Sequence, residues 1–172
     1  MIILGIDPGV ISTGYGVIEI KDRRVNLVDY GVIKIEREQD LPSRLSGIYN
    51  GITGICEKFQ PGAMSIEGIY FNKNARTALT VGHTRAAVIL AAVHQGIEVA
   101  TYTPLEIKQT VSGYGRADKS QIQRMVQVTL KLKDIPRPDH AADALAAALC
   151  HYYISRTTCR LNNQKSKWGE EQ

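Results

Sequence analysis

Three carboxylates and one imidazole stand where a chain of alternating strands and helices would gather them. Asp7 closes the apolar run Ile2-Ile3-Leu4-Gly5-Ile6, and Glu67 closes Ala63-Met64-Ser65-Ile66. His140 and Asp143 lie three residues apart at the start of an Ala/Leu-rich stretch. A carboxylate at the end of a buried strand is costly unless a cation pairs with it, and a hard divalent ion such as Mg²⁺, which prefers oxygen ligands, is a common answer. Open α/β sheets collect their sites at strand carboxyl ends and helix N-termini, and a spacing of three puts His140 and Asp143 on nearly one helix face. Such a set could hold two divalent ions about 4 Å apart and support in-line phosphodiester hydrolysis, one ion activating water and the other stabilising the leaving 3′ oxygen. Each residue also has an ordinary use. An Asp before Pro-Gly serves in turns, a Glu after a strand can be solvated, Asp139 suits a helix N-cap, and a histidine can belong to surface or core. Coincidence at one sheet edge carries the metal interpretation, not any single residue.

The elements that would position them follow from periodicity. Residues 2–7 form an apolar strand of the kind buried at a sheet centre, broken by Pro8-Gly9. Strands over 14–20 and 25–35 follow across the polar turn Lys21-Asp22-Arg23-Arg24, which makes an antiparallel meander. Leu41, Leu45, Ile48, Ile52, Ile55 and Phe59 recur at helical spacing, with Pro42 in the first turn. A short strand leads to Glu67, residues 68–74 form a loop, and a long helix spans Ala75–Gln95. A fifth strand over 97–102 precedes a short helix capped by Thr103-Pro104. Further helices cover about 118–132 and 139–154. The order predicts an α/β, ribonuclease H-like mixed five-stranded sheet flanked by helices. Residues 1–155 form the one domain, and 156–172 a polar tail expected to be disordered.

Bulk properties set wide limits. The 172 residues suffice for one real core. A net charge of +4 permits a polyanionic partner without requiring one. Three cysteines without a CxxC spacing argue against a disulfide framework or zinc site. With no signal-type N-terminus and no stretch of membrane-spanning length, the expected location is the cytoplasm, with no membrane partner.

Longer motifs are more specific. Ile3-Leu4-Gly5-Ile6-Asp7-Pro8-Gly9 with Thr13-Gly14-Tyr15-Gly16 resembles the opening of RuvC-type Holliday-junction resolvases. The resemblance continues through Asp40-Leu41-Pro42-Ser43-Arg44-Leu45, Ile66-Glu67, Lys73-Asn74-Ala75 and Lys108-Gln109-Thr110-Val111. Asp118-Lys119-Ser120-Gln121 and Asp139-His140-Ala141-Ala142-Asp143-Ala144-Leu145-Ala146 complete it, in order to about residue 151. It implies a homodimeric crossover junction endodeoxyribonuclease of recombination and repair that nicks two opposed strands of a four-way DNA junction. It also implies dependence on Mg²⁺, with Mn²⁺ able to substitute and two ions per site, and a RuvA/RuvB-type branch-migration complex as partner. The family's catalytic and metal-binding acids map to Asp7, Glu67, His140 and Asp143. One position departs: many members carry Asp immediately before Ala-Ala-Asp, where this chain has His140. An imidazole suits Mn²⁺ better than Mg²⁺ as an inner ligand, or it could activate water or touch the scissile phosphate.

The same resemblance places Tyr70 near the junction centre, where stacking on a base is worth about 1–3 kcal/mol. Phe71 either joins it or packs into the core. Lys73, Arg76 and Arg85 would follow the DNA backbone, Lys108 and Lys119 match positions implicated in DNA contact, and Arg116 stands close to Lys119. A two-fold dimer suits two symmetric cuts. Leu79, Ala86, Ala87, Leu90 and Val93 on the Ala75–Gln95 helix could form its interface or simply cover the sheet. Two competing functions are a sugar-kinase/actin-type ATPase, suggested by the Asp and glycines of residues 5–14, and a catalytically dead nucleic-acid-binding relative. The chain is short for the first and keeps the acids that the second would lose.

Overall fold

A computed structural model describes residues 1–68 and 75–169, with side chains over 1–68 and 78–158. The elements are β1 (Ile2–Asp7), β2 (Ser12–Lys21), β3 (Arg24–Lys34), α1 (Leu41–Phe59), β4 (Ala63–Glu67), α2 (Ala75–His94), β5 (Glu98–Tyr102), α3 (Pro104–Ser112), α4 (Lys119–Thr129) and α5 (Asp139–Gly169). The sheet order is β3-β2-β1-β4-β5. The meander β1-β2-β3 is antiparallel, while β4 pairs parallel with β1 and β5 parallel with β4. This is the mixed five-stranded sheet flanked by helices that the element order predicts.

The two-residue strand period sorts the core into two layers. Leu4 and Ile6 of β1 pack with Met64 and Ile66 of β4 against α1 and α2. Ile3, two positions away from Gly5 and four from Asp7, packs with α3, α4 and α5. Asp7 therefore emerges on the α5 side of the sheet. Glu67 does the same, because Ser65, two residues earlier, is buried and donates its hydroxyl to the Ala147 carbonyl on α5 at 2.7 Å.

Helix α5 lies almost backbone-to-backbone on the meander. Ala141, Ala144, Ala147 and Ala148 are buried, and glycines face them from the strands. A Cβ at Gly14 would stand 2.0 Å from the His140 carbonyl oxygen, and one at Gly5 would stand 2.0 Å from that of Ala144. No side chain fits in either place. Small residues on both surfaces thus set how close the N-terminal turn of α5, with His140 and Asp143, comes to the end of β1.

Local chemistry fixes the helix starts. Asp40 caps α1 by accepting from the Ser43 N–H, with Pro42 in the first turn. Reciprocal capping boxes, Thr103 with Glu106 and Asp118 with Gln121, begin α3 and α4. Helix α5 continues past Ile154, the end that its sequence suggests, to Gly169. No Pro or Gly interrupts the sequence between Ile154 and Gly169, and Thr157 and Thr158 bond back to the carbonyls of Tyr153 and Ile154. The long helix α2 also divides its apolar residues: Ala87 joins Val88, Ala91 and Ala92 under the sheet, whereas Leu79, Leu90 and Val93 face outward.

Gly14→Ala should cost about 1–3 kcal/mol through overpacking and lower Tm by roughly 2–4 °C per kcal/mol. Gly54→Ala, on an exposed stretch of α1 with nothing within 4 Å of the new methyl, should instead stabilise by up to about 1 kcal/mol. Thermal melts of the two variants check the contrast, and equal behaviour would show that α5 does not rest on Gly14.

Candidate active site

At the carboxyl ends of β1 and β4, the chain brings Asp7 and Glu67 beneath the first turn of α5. The turn after Asp7 is braced by Thr13, fully buried, whose hydroxyl donates to the Gly9 carbonyl at 2.7 Å. The backbone after Glu67 is held twice: Gly68 N–H donates to Tyr102 O at 2.7 Å, and Arg85 donates to the Glu67 carbonyl at 2.8 Å and to Thr101 Oγ1 at 2.6 Å. Arg85 is thus turned inward as a brace between α2, β4 and β5, and not outward along a DNA strand. Two oxygen acceptors at the sheet edge capture its guanidinium.

Three of the acids have side-chain partners. His140 Nδ1 lies 2.6 Å from Asp7 Oδ2. Lys119, at the first position of α4, places Nζ 3.1 Å from Asp143 Oδ2 and 3.2 Å from Asp139 Oδ2. Asp139 is the first residue of α5 and does not cap it through its side chain, as its sequence position suggests. Its carboxylate is gripped instead by Lys119, by Gln123 Nε2 at 3.1 Å and by Arg137 Nη1 at 2.6 Å. Those three charged and amide donors compete better for a carboxylate than backbone N–H groups do.

Burial and mutual repulsion raise the cost of negative charge here. Glu67 is pushed up to about 7, first by burial and then by Asp7 and Asp143, with Lys108 and Lys119 pulling the other way. Burial also raises Asp7, although the hydrogen bond and charge of His140 oppose it. Lys119 loses some basicity to burial but regains more from Asp143 and Asp139, so its ammonium form is favoured. A cleft beside these groups is lined by Glu67, Lys108, Lys119 and Asp143, with Pro104 and Ile122 among its apolar walls.

Asp7, Glu67, His140 and Asp143 therefore share one pole of the molecule, as the sequence suggests. Among the described residues, however, no three Asp, Glu, His or Cys side chains are drawn together closely enough to form a ready metal cage. Lys119 bonds to Asp143 and Asp139, and His140 to Asp7, which ties the acids into two separate groups. The donor set nonetheless fits a hard divalent cation: carboxylate oxygens predominate, and burial, with repulsion from the neighbouring acids, raises both Asp7 and Glu67.

Lys108 borders the cleft, and Arg116 is exposed between α3 and α4. Tyr70, Phe71 and Lys73 lie outside the described residues, as does the side chain of Arg76. Sequence reasoning missed the grip of Gln123 on Asp139, which only the α4–α5 packing reveals, and the local contact from Arg137 two residues before it. It also missed that Lys119 meets the acids, although the Asp118-x-x-Gln121 capping pattern marks where α4 begins and so where Lys119 stands.

A family model described as Crossover junction endodeoxyribonuclease RuvC matches residues 3–151. A protein of that same name from Desulforamulus reducens is 51% identical over 157 residues, spanning 91% of this chain and 96% of its own length. The solved Thermus thermophilus RuvC structure is 34% identical with a TM-score of 0.86, covering 92% of this chain and 97% of that one. A structure of T. thermophilus RuvC in complex with Holliday junction substrate gives a TM-score of 0.88 at 34% identity, covering 92% and 96% of the two chains. With that likeness the sheet and its helices are the ribonuclease H-like arrangement.

The elevated Glu67 has a measurable consequence. Between its ordinary value of 4.5 and about 7, the unfolded chain has lost a proton that the folded chain keeps, so stability falls as pH rises through that window. With divalent ions chelated, Glu67→Gln should be more stable than wild type at about pH 8 by roughly 2–3 kcal/mol, and the gap should shrink towards pH 5. Adding Mn²⁺ should raise the wild-type Tm and leave that of the variant nearly unchanged. If melts at high pH show no gain for the variant, Glu67 is not under electrostatic strain.

Proposed function

The chain belongs to the RuvC family of crossover junction endodeoxyribonucleases, and on that premise we propose that it resolves four-way DNA junctions by paired, symmetric nicks in recombination and repair. The supporting observation is the meeting of Asp7, Glu67, His140 and Asp143 at one pole, with Lys108 and Lys119 beside them. The T. thermophilus relative is described in complex with Holliday junction substrate, and the same substrate is assigned here.

RuvC-family nucleases are metal-dependent. In this chain Asp7, Glu67, Asp143 and His140 would hold Mg²⁺, or Mn²⁺ in its place, with two ions per site. When bound, the metal would supply Lewis-acid activation of a phosphate oxygen and of water. The chain's own groups do the rest. Lys108 and Lys119 offset the repulsion between the acids and an incoming phosphate, and each can make a charge-assisted contact to it. Asp7 occupies His140 Nδ1, so Nε2 is the ring nitrogen left to accept a proton from water or donate one to the phosphate. Tyr70 and Phe71, three and four residues beyond Glu67, are assigned to base stacking. Lys73, Arg76 and Arg116 are assigned to the DNA backbone.

The outward face of α2 supports a homodimer. Leu79, His83, Ala86, Leu90 and Val93 recur at intervals of four and three, the seam of a helix pair, and Leu79, Leu90 and Val93 are 64%, 51% and 57% exposed. A two-fold pair would present two acid pockets to a two-fold substrate. Among the described residues no helix is long and apolar enough to cross a membrane. The cytoplasm and a RuvA/RuvB-type branch-migration complex complete the proposal.

A synthetic immobile four-way junction incubated with Mg²⁺ or Mn²⁺ should yield paired symmetric nicks, and Asp7→Asn should reduce them to background while junction binding persists. Substantial residual cutting by that variant would remove Asp7 from the catalytic set. Leu90→Glu should leave the monomer as stable as wild type, since Leu90 touches solvent, but should halve the mass seen in sedimentation and replace paired nicks by single ones. A persistent dimer would place the interface elsewhere.

A further inference from the structure

The pole opposite the acid pocket carries a second charged feature. The β2–β3 turn, the end of α4 and the middle of α5 enclose a groove bearing Arg23, Arg24, Lys131 and Arg156, with Leu27 and Leu130 on its walls. No acidic residue lines it, and among the described residues none of the four cations makes a salt bridge. Along α5, Arg156 is thirteen residues beyond Asp143, about 20 Å at 1.5 Å per residue. The groove is therefore separate from the cleavage site.

Its shape is fixed by the chain. Tyr152, buried, donates its hydroxyl to the Arg23 carbonyl at 3.3 Å, and Arg156 donates to that same hydroxyl at 3.3 Å. Arg23 and Lys131 adopt left-handed backbone with φ of 62° and 54°, the first in the two-residue hairpin turn and the second just past the end of α4, so both turns present their side chains at fixed points. One wall is β3, the edge strand of the sheet, whose outer side offers backbone N–H and C=O groups to an added strand.

We infer that this groove docks an extended, acidic segment of a partner protein, laid along the start of β3 with carboxylates on Arg23, Arg24, Lys131 and Arg156. Strand addition supplies main-chain hydrogen bonds, while alternate side chains enter pockets. The apolar walls decide between partners. The half-buried Leu27 can cover an aliphatic side chain of a peptide, whereas a duplex would meet the cations through its phosphates and gain nothing from it. The concave groove also suits one strand of polypeptide better than a broad DNA cylinder.

The test uses the full-length protein and a fluorescent peptide alternating glutamate and valine over about twelve residues, with a lysine–valine peptide as control. The acidic peptide should bind saturably and the basic one should not. Arg24→Glu combined with Lys131→Glu should weaken binding by about tenfold or more, and the milder Arg24→Gln with Lys131→Gln should fall between, with Tm confirming that both fold. Junction affinity and cleavage should stay at wild-type levels. Absent or equal binding of the acidic peptide by wild type and variants would overturn the inference. So would a matching loss of junction affinity in the charge variants, which would give the groove to a DNA arm.

Discussion

The site depends on how closely one helix approaches three strands. Helix α5 can seat on the meander only because Gly5 and Gly14 lack side chains where its carbonyls pass and because its own inner face is largely alanine. Larger residues on either surface would lift the helix by ångströms, since close-packed interiors have few voids into which they could relax. That lift would separate His140 and Asp143 from Asp7. The apolar layers on both faces supply the stability, but the glycine–alanine contact sets the active-site distances.

The second constraint is electrostatic. Four acids, Asp7, Glu67, Asp139 and Asp143, gather at one pole, and the fold answers with Lys119, Arg137 and the His140 ring. None of these makes a salt bridge to Glu67, which burial and its acidic neighbours hold up to about 7. A divalent cation bound there would relieve that repulsion as well as form bonds to the carboxylates.

Most of the elements were legible from the sequence because their signals are local. Hydrophobic period, proline and glycine breaks and the Thr103 and Pro42 positions located β1, α1 and α3 closely. Asp7, Glu67, His140 and Asp143 could be grouped because strand ends and helix starts meet at one sheet edge. Contacts between distant elements were not legible. Nothing local tells that Gly14 faces His140, that Arg85 reaches back to the Glu67 carbonyl, or that Lys119 spans Asp139 and Asp143. Asp139 has the residue type of a cap, yet Gln123 and Lys119, brought in by the packing of α4, and Arg137, two residues before it, hold its carboxylate instead. The end of α5 lies beyond the Ile154 that the apolar pattern marks, because no Pro or Gly before Gly169 stops the helix.

Helix α5 also gives the molecule a polarity. Its first turn carries His140 and Asp143, its alanine face fixes the meander, and its middle turns carry Tyr152 and Arg156 at the far groove. One continuous helix buried along most of that length is rigid, so the two poles hold a constant separation of about 20 Å. That length is roughly six base-pair steps at 3.4 Å each. A partner seated at the groove would therefore stand beside the DNA without entering the acid pocket. Charge at the two ends differs in kind as well. The catalytic pole mixes acids with cations and so suits metal and phosphate together, whereas the far groove is lined by cations without an acid and favours carboxylates without a metal. A single helix can thus keep chemistry and recruitment apart while holding them at a fixed distance.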